Sequence, residues 1–232
     1  MYIKEDIVEC IFLERLNRFV GRVLIDDNEI LVHIKNTGRC KELLIEGVKG
    51  YLLKSNNEKR KYMYDLIAVY KGDILVNIDS QLPNSVVYNY IKNGNLFKNI
   101  LEIKREVTYK NSRFDIYLKY VSYKNDIKEA FIEVKGVTLF DDECARFPDA
   151  PTLRGTKHLN ELIDAKENGY DTYVFFLIQA DGIKFFSGNI EKDKVFCDTL
   201  KKSYECGVNI LCYNSSVTPS VVTVKDSVEL LI

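Results

Sequence analysis

Asp115, Glu133 and Lys135 are the side chains of this sequence whose types and spacing could do chemistry together. They lie in residues 112–139, which read S-R-F-D-I-Y-L-K-Y, a polar break, then E-A-F-I-E-V-K-G-V-T-L. An acid on one strand followed by Glu-x-Lys on the next is what a magnesium-dependent nuclease needs. Two carboxylates hold a hard cation through oxygen, and the lysine acts on a water or a phosphate. Glu-x-Lys on a strand is also the pattern of a solvated face with cross-strand ion pairs, so geometry must choose between the two.

Strand residues two apart share a face, so Glu133 and Lys135 point the same way as Phe131, while Ala130, Ile132 and Val134 fill the other face. On the preceding strand Phe114, Ile116, Leu118 and Tyr120 form one face, and Asp115, Tyr117 and Lys119 the other. The break at residues 122–126 carries turn formers. A hairpin centred on Lys124 pairs Asp115 with Glu133; one centred on Asn125 pairs it with Lys135. A centre between the two turns Asp115 to the wrong face, because a one-residue slip flips the strand. The chemistry therefore requires an odd-length loop or a bulge.

The elements that must position this hairpin divide near residue 80, giving domains 1–80 and 81–232. In the first, residues 19–25, 30–34, 50–54, 66–70 and 74–78 read as five short strands, a number that suits an OB-type barrel. Arg15, Arg18, Arg22, His33, Lys35, Arg39 and Lys41 give it local positive charge. Phe19 and Tyr51 offer stacking faces, a mixture suited to a nucleic-acid strand or to ordinary surface. Thr37-Gly38-Arg39 reads as a backbone anion site or a plain turn.

The second region reads as α/β. Residues 86–92 predict a short helix, and residues 101–109 lead into the Asp115 strand and contain Glu106. Residues 141–151 read as an acidic loop. A helix is expected over residues 153–168, stopped by Gly169, with Arg154, Lys157 and His158 in its early turns, where the helix dipole favours anions. Lys157 and Glu161 also form an i,i+4 pair. Residues 173–179, Y-V-F-F-L-I-Q, suit a central strand covered on both faces. A helix at 190–206, a strand at 208–213 and a tail with edge-strand character complete the pattern.

Bulk properties narrow the function classes. Lys plus Arg number 33 against 34 Asp plus Glu, and neither side of Ser80 has an excess of base. Any nucleic-acid contact must come from local patches, with salt-sensitive binding. The 6 cysteines include no C-x-x-C pair, which argues against zinc. The first ten residues carry Lys4, Glu5, Asp6 and Glu9, unlike a signal peptide, and no apolar run approaches a membrane span. A cytoplasmic protein with reduced thiols and no membrane partner is expected.

Several motifs in order resemble the sugar fermentation stimulation protein A (SfsA) family. They are Arg15-x-x-Arg18-Phe19, Asn36-Thr37-Gly38-Arg39, Val76-Asn77 with Leu82-Pro83-Asn84, residues 112–115 and 131–139, Phe147-Pro148-Asp149-Ala150, and Arg154-Gly155-x-Lys157-His158-Leu159-x-Glu161-Leu162. The resemblance covers nearly the whole chain. It implies an α+β protein: an OB-like β barrel followed by a domain resembling PD-(D/E)xK nucleases. That superfamily's metal-binding Asp maps to Asp115, its Glu to Glu133 and its Lys to Lys135, with Glu106 as an additional acid. Phe114 stands where the superfamily's commonest spelling has Pro. The expected function is DNA binding with a phosphodiester-hydrolysing site that takes Mg²⁺ or Mn²⁺. Arg15, Arg18, Arg39, Arg113, Arg154, Lys157 and His158 are the expected nucleic-acid contacts. A non-catalytic DNA-binding regulator of sugar metabolism on the same scaffold, and an RNA-processing enzyme, are the alternatives.

Overall fold

The computed structural model describes residues 6–36 and 38–232. Its first six strands are β1 (Ile7–Asn17), β2 (Val20–Ile25), β3 (Asn28–Ile34), β4 (Lys49–Lys54), β5 (Tyr64–Lys71) and β6 (Ile74–Asn77). β1 pairs with both β2 and β4, β2 with β3, β4 with β5, and β3 with β5, so five strands close into a barrel. Phe12, Val23, Val32, Ile34, Leu52 and Leu66 fill it. The β2–β3 turn puts Asp26 and Asp27 at positive φ, which Asp tolerates better than most residues.

The barrel corrects the sequence reading in its membership. β1 was not expected, because Glu9, Glu14 and Arg15 mask the inward alternation of Cys10 and Phe12. The segment expected as the fifth stave, residues 74–78, instead forms β6, which pairs with β5 outside the ring.

The second region centres on a mixed six-stranded sheet. Its strands are β7 (Ile100–Tyr109), β8 (Ser112–Val121), β9 (Ile127–Val137), β12 (Asp171–Ile178), β14 (Asn209–Val217) and β15 (Val222–Ser227), in the spatial order β15-β14-β12-β9-β8-β7. β9, β12 and β14 run parallel, as crossover connections demand. The apolar run of β12 is covered on both faces. Val174 and Phe176 join the core containing α2 (Leu153–Glu167), and Phe175 and Leu177 the core containing α1 (Leu82–Lys92).

Helix limits follow local chemistry. α1 begins earlier than expected because Pro83 fits the first turn, where its missing N–H costs nothing. In α2 the Thr152 hydroxyl accepts from Gly155 N, and Gly169 follows at positive φ. α3 (Lys194–Glu205) starts later than expected because the Asp193 carboxylate caps Phe196 N. The expected loop at 141–151 instead contributes to a small separate sheet of β10 (Phe140–Asp141), β11 (Cys144–Phe147), β13 (Phe185–Gly188) and β16 (Glu229–Leu231).

Polar contacts join barrel to sheet. Asn77 N donates to Gln179 O at 2.9 Å. The buried Gln179 amide donates to Asn77 O, Asn77 Oδ1 and Asp79 O at 3.0, 2.8 and 3.1 Å. Asp79 also holds Lys35 at 2.6 Å.

Candidate active site

The β8–β9 ladder runs from Val121 opposite Ile127 to Ile116 opposite Ile132, a register centred on Lys124. The intervening turn is of odd length and is closed by Ser122 N donating to Asp126 O, with Asn125 at positive φ. Extending this register by one step brings Asp115 opposite Glu133. There the backbone ladder gives way, and Val134 N donates to Asp115 Oδ2 at 2.8 Å. Asp115 Oδ1 accepts from Asn84 Nδ2, on the first turn of α1, at 2.5 Å.

Strand alternation does not carry through this point. Phe114 packs with Phe131 and Tyr109 in the α2-side core, whereas Ile116 and Leu118 belong to the α1-side core. The expectation that Phe114 shares a face with Ile116 is therefore corrected. On the neighbouring strand Glu106 takes a left-handed φ of 56°, and it falls between the Arg105–Ile116 and Val107–Phe114 pairs, opposite Asp115. The two strands change face together at Glu106 and Asp115.

Glu133 is buried, and its two oxygens are treated differently. Oε1 accepts from Lys135 Nζ at 2.6 Å and from His158 Nδ1 on the inner face of α2. Oε2 is buried and has no hydrogen-bond partner among the described residues. His158 Nε2 in turn accepts from Arg154 Nε at 3.5 Å. Burial pushes the Glu133 carboxyl upward, but the His158 hydrogen bond and the Lys135 charge outweigh it and hold it below the usual carboxylate range. Asp115 goes the other way. Burial and then the nearby Glu133 charge push its carboxyl up to about 6, against the opposing pull of the Val134 N–H and the charges of Lys135 and His158.

This donor set fits a hard divalent cation. Two carboxylates, one with an orphaned buried oxygen, suit an ion that keeps several waters or takes phosphate oxygens as its remaining ligands. Glu106 does not join them: its exposed carboxylate pairs with Arg113 at 3.5 Å. Among the described residues no group of three or more His, Cys, Asp or Glu side chains is placed to hold a metal.

The expected nucleic-acid contacts separate into classes. The Arg15 guanidinium is committed to backbone, donating to the carbonyls of Asn17, Arg18, Asn36, Gly38 and Arg39. His158 is buried and turned to Glu133, so it positions a carboxylate rather than touching nucleic acid. Lys157 reaches Asn111 O at 2.7 Å and Glu161 at 3.7 Å, tying α2 to the β7–β8 turn. Arg113 pairs with Glu106. Arg18, Arg39 and Arg154 line open cavities. Of the expected anion site, Thr37 lies outside the described residues. Gly38 N donates to Asn36 Oδ1, and Asp149 Oδ2 lies 2.7 Å from where a Gly38 Cβ would stand, so that amide is not open to an anion.

Three residues of the site escape strand-pattern reasoning. Asn84 sits in the Leu82-Pro83-Asn84 motif, and only the motif hinted at a role. Gly136 leaves room that a Cβ would fill, 2.4 Å from Gln179 Oε1 and 2.7 Å from Pro83 Cγ. Gln179 ends the apolar β12 run, and a polar residue there was the available signal.

Comparison with known proteins agrees with this architecture. Residues 13–78 match the family model described as the SfsA N-terminal OB domain, and residues 81–221 the one described as the sugar fermentation stimulation protein RE domain. Curated relatives described as sugar fermentation stimulation protein homologs include one from Clostridium beijerinckii, 48% identical over 95% of this chain and 96% of the relative. Another, from Clostridium tetani, is 47% identical over the full length of both. A solved structure of SfsA from Pyrococcus furiosus, described as a complex with Ca²⁺, superposes with a TM-score of 0.87 at 28% identity, covering 100% of both chains. Two matched domains in order, full-length relatives and a shared fold place this chain in the sugar fermentation stimulation protein (SfsA) family.

Proposed function

We propose that this protein is a divalent-metal-dependent nuclease that hydrolyses phosphodiester bonds in DNA. The observation that carries this reading is Glu133 Oε2, buried without a partner beside Asp115 and Lys135. The Ca²⁺ complex described for the Pyrococcus furiosus relative supports it, since Ca²⁺ and Mg²⁺ both take oxygen ligands. Asp115 and Glu133 would hold Mg²⁺ or Mn²⁺. When bound, the ion polarises a phosphate oxygen and lowers the pKa of water. Asn84 and the Val134 N–H fix the orientation of Asp115. His158 and Lys135 share Glu133 Oε1, which leaves Oε2 for the ion. Lys135 carries two more ammonium hydrogens, available to orient water or steady phosphate charge. All six cysteines are free, which fits a reducing compartment such as the cytoplasm. No helix among the described residues is long and apolar enough to cross a membrane.

One observation favours a second reading, the non-catalytic DNA-binding regulator. Lys135 already balances the Glu133 charge from within the protein. End-labelled single- and double-stranded DNA and RNA, incubated with Mg²⁺ or Mn²⁺, separate the readings. Cleavage by the wild type that Glu133→Gln and Lys135→Ala both lose supports the nuclease. DNA bound and left intact supports the regulator, and equal cleavage by all three proteins indicates a contaminant.

A further inference from the structure

The chain carries a formal net charge of -1, yet several cations cluster at one place. A cavity of about 810 Å³ on the barrel is lined by Arg15, Arg18, Arg39 and Lys41 over Leu44. A second, of about 490 Å³, lies between barrel and sheet and shares Arg18 and Gly38 with the first. It adds Arg146 and Arg154. Among the described residues these six cations and one carboxylate, Asp149, line the two cavities, with Arg146 paired to Asp141 at 3.0 Å and Arg15 held by backbone carbonyls. The second cavity ends at Gly136, next to Lys135, and at Arg154, whose Nε reaches His158. A single trough therefore leads from the barrel to the edge of the candidate site. A concave surface of one charge sign focuses field and attracts a polyanion whatever the overall charge.

The walls show which polyanion. Arg39 and Lys41 are exposed, and among the described residues their charged groups have no hydrogen-bond or ion-pair partner, as phosphate contacts require. Beside the walls, Arg18 lies over the ring of Phe19, 5.6 Å from its centroid, and that ring is 47% exposed, an aromatic surface at the rim for a base. Phe147 and Pro148 add apolar wall in the second cavity. A duplex is a stiff rod with its bases already stacked inside, and it gains nothing from aromatic platforms in a recess between two domains. A flexible strand with free base faces gains from both cations and platforms.

We infer that the trough binds single-stranded DNA, with phosphates held by Arg39, Lys41 and Arg18 and the strand leading past Arg154 to the Asp115–Glu133–Lys135 cluster. The last step rests on the nuclease reading; the binding does not.

Fluorescence anisotropy with a labelled oligothymidylate, and with a duplex of the same length, tests it in metal-free and in Ca²⁺ buffers at several salt concentrations. The Arg39→Glu/Lys41→Glu protein is compared with Lys201→Glu/Lys202→Glu, an equal charge change on exposed positions of α3. The expected result is tighter binding of the single strand than of the duplex. The trough variant should lose about tenfold or more of that affinity, with a salt slope shallower by about 0.7 per lost phosphate contact. The α3 variant should bind like the wild type, and unchanged melting temperatures exclude misfolding. Duplex bound as tightly as the single strand, or equal losses in both variants, overturns the inference. Single-strand binding that passes these criteria without any cleavage leaves the inference standing and removes the nuclease reading alone.

Discussion

His158, one turn into α2, donates its Nδ1–H to Glu133 of β9, and the bond is buried on both sides. It joins the helix that carries the basic residues to the strand that carries the acid. It also decides which Glu133 oxygen is left without a partner.

The first prediction concerns this bond. His158→Phe removes the donor and leaves Glu133 underpaired, at a cost of about 1–3 kcal/mol. His158→Gln keeps a donor and should recover part of that loss. Metal affinity, measured by calorimetry with Mn²⁺ or Ca²⁺, should fall by about 10–100-fold in the Phe protein and less in the Gln protein. Equal affinities in all three proteins would show that His158 serves packing alone.

Glu133→Gln removes the charge on which both His158 and Lys135 converge. Calorimetric metal binding should disappear while the circular dichroism spectrum stays that of the folded protein. Unchanged Mn²⁺ affinity in this variant would sink the assignment of Glu133 as a ligand.

Asp115 gives stability a pH signature in metal-free buffer. Its carboxyl is pushed up to about 6 in the folded protein, first by burial and then by Glu133, against about 3.9 for an unperturbed Asp. The folded state therefore holds this proton more tightly than the unfolded chain does. This contribution is fully present below the unfolded value and is lost as pH rises toward 6. Urea titrations should show Asp115→Asn escaping this loss, so that near neutrality it exceeds the wild type by about 1–3 kcal/mol. Added Ca²⁺ should reverse the order, because ligand binding stabilises only the protein that binds it. A variant less stable than wild type at every pH would contradict the account.

Gly136→Ala tests the junction between site and barrel. The new Cβ would meet Gln179 Oε1 at 2.4 Å and Pro83 Cγ at 2.7 Å. Moving either disturbs the Gln179 bonds to the barrel or the start of α1, which carries Asn84. A loss of about 1–3 kcal/mol is expected in urea denaturation, typical of an overpacked position. A fully stable variant would mean that the neighbouring side chains yield freely.

The site hairpin was legible in the sequence because strand periodicity and turn chemistry are local. Once an odd loop is required, Asp115 must face Glu133 or Lys135, and the ladder takes the first of these registers. α2 was legible for the same reason, from its apolar spacing and Gly169. What escaped depended on contacts distant in sequence. Asn84 meets Asp115 across 31 residues, and Gln179 meets Asn77 across 102. β1 was hidden by charged residues on its outer face. The face change at Asp115 and Glu106 contradicts alternation itself, and no pattern of period two can announce its own interruption. Arg15 and His158 are expected among the nucleic-acid contacts because type and position say nothing about which carbonyls or carboxylates will surround them.

The Gln179 side chain, with its amide on Asn77 and Asp79, has a consequence for how the molecule comes apart. Asn77 and Asp79 lie just before residue 80, where the barrel gives way to the second region. A barrel severed there would lose the donors for Asn77 and Asp79, and the remainder would keep a buried amide with nothing to bond. The two halves should therefore melt together in a single calorimetric transition. Produced as separate fragments, they should find each other and reassemble.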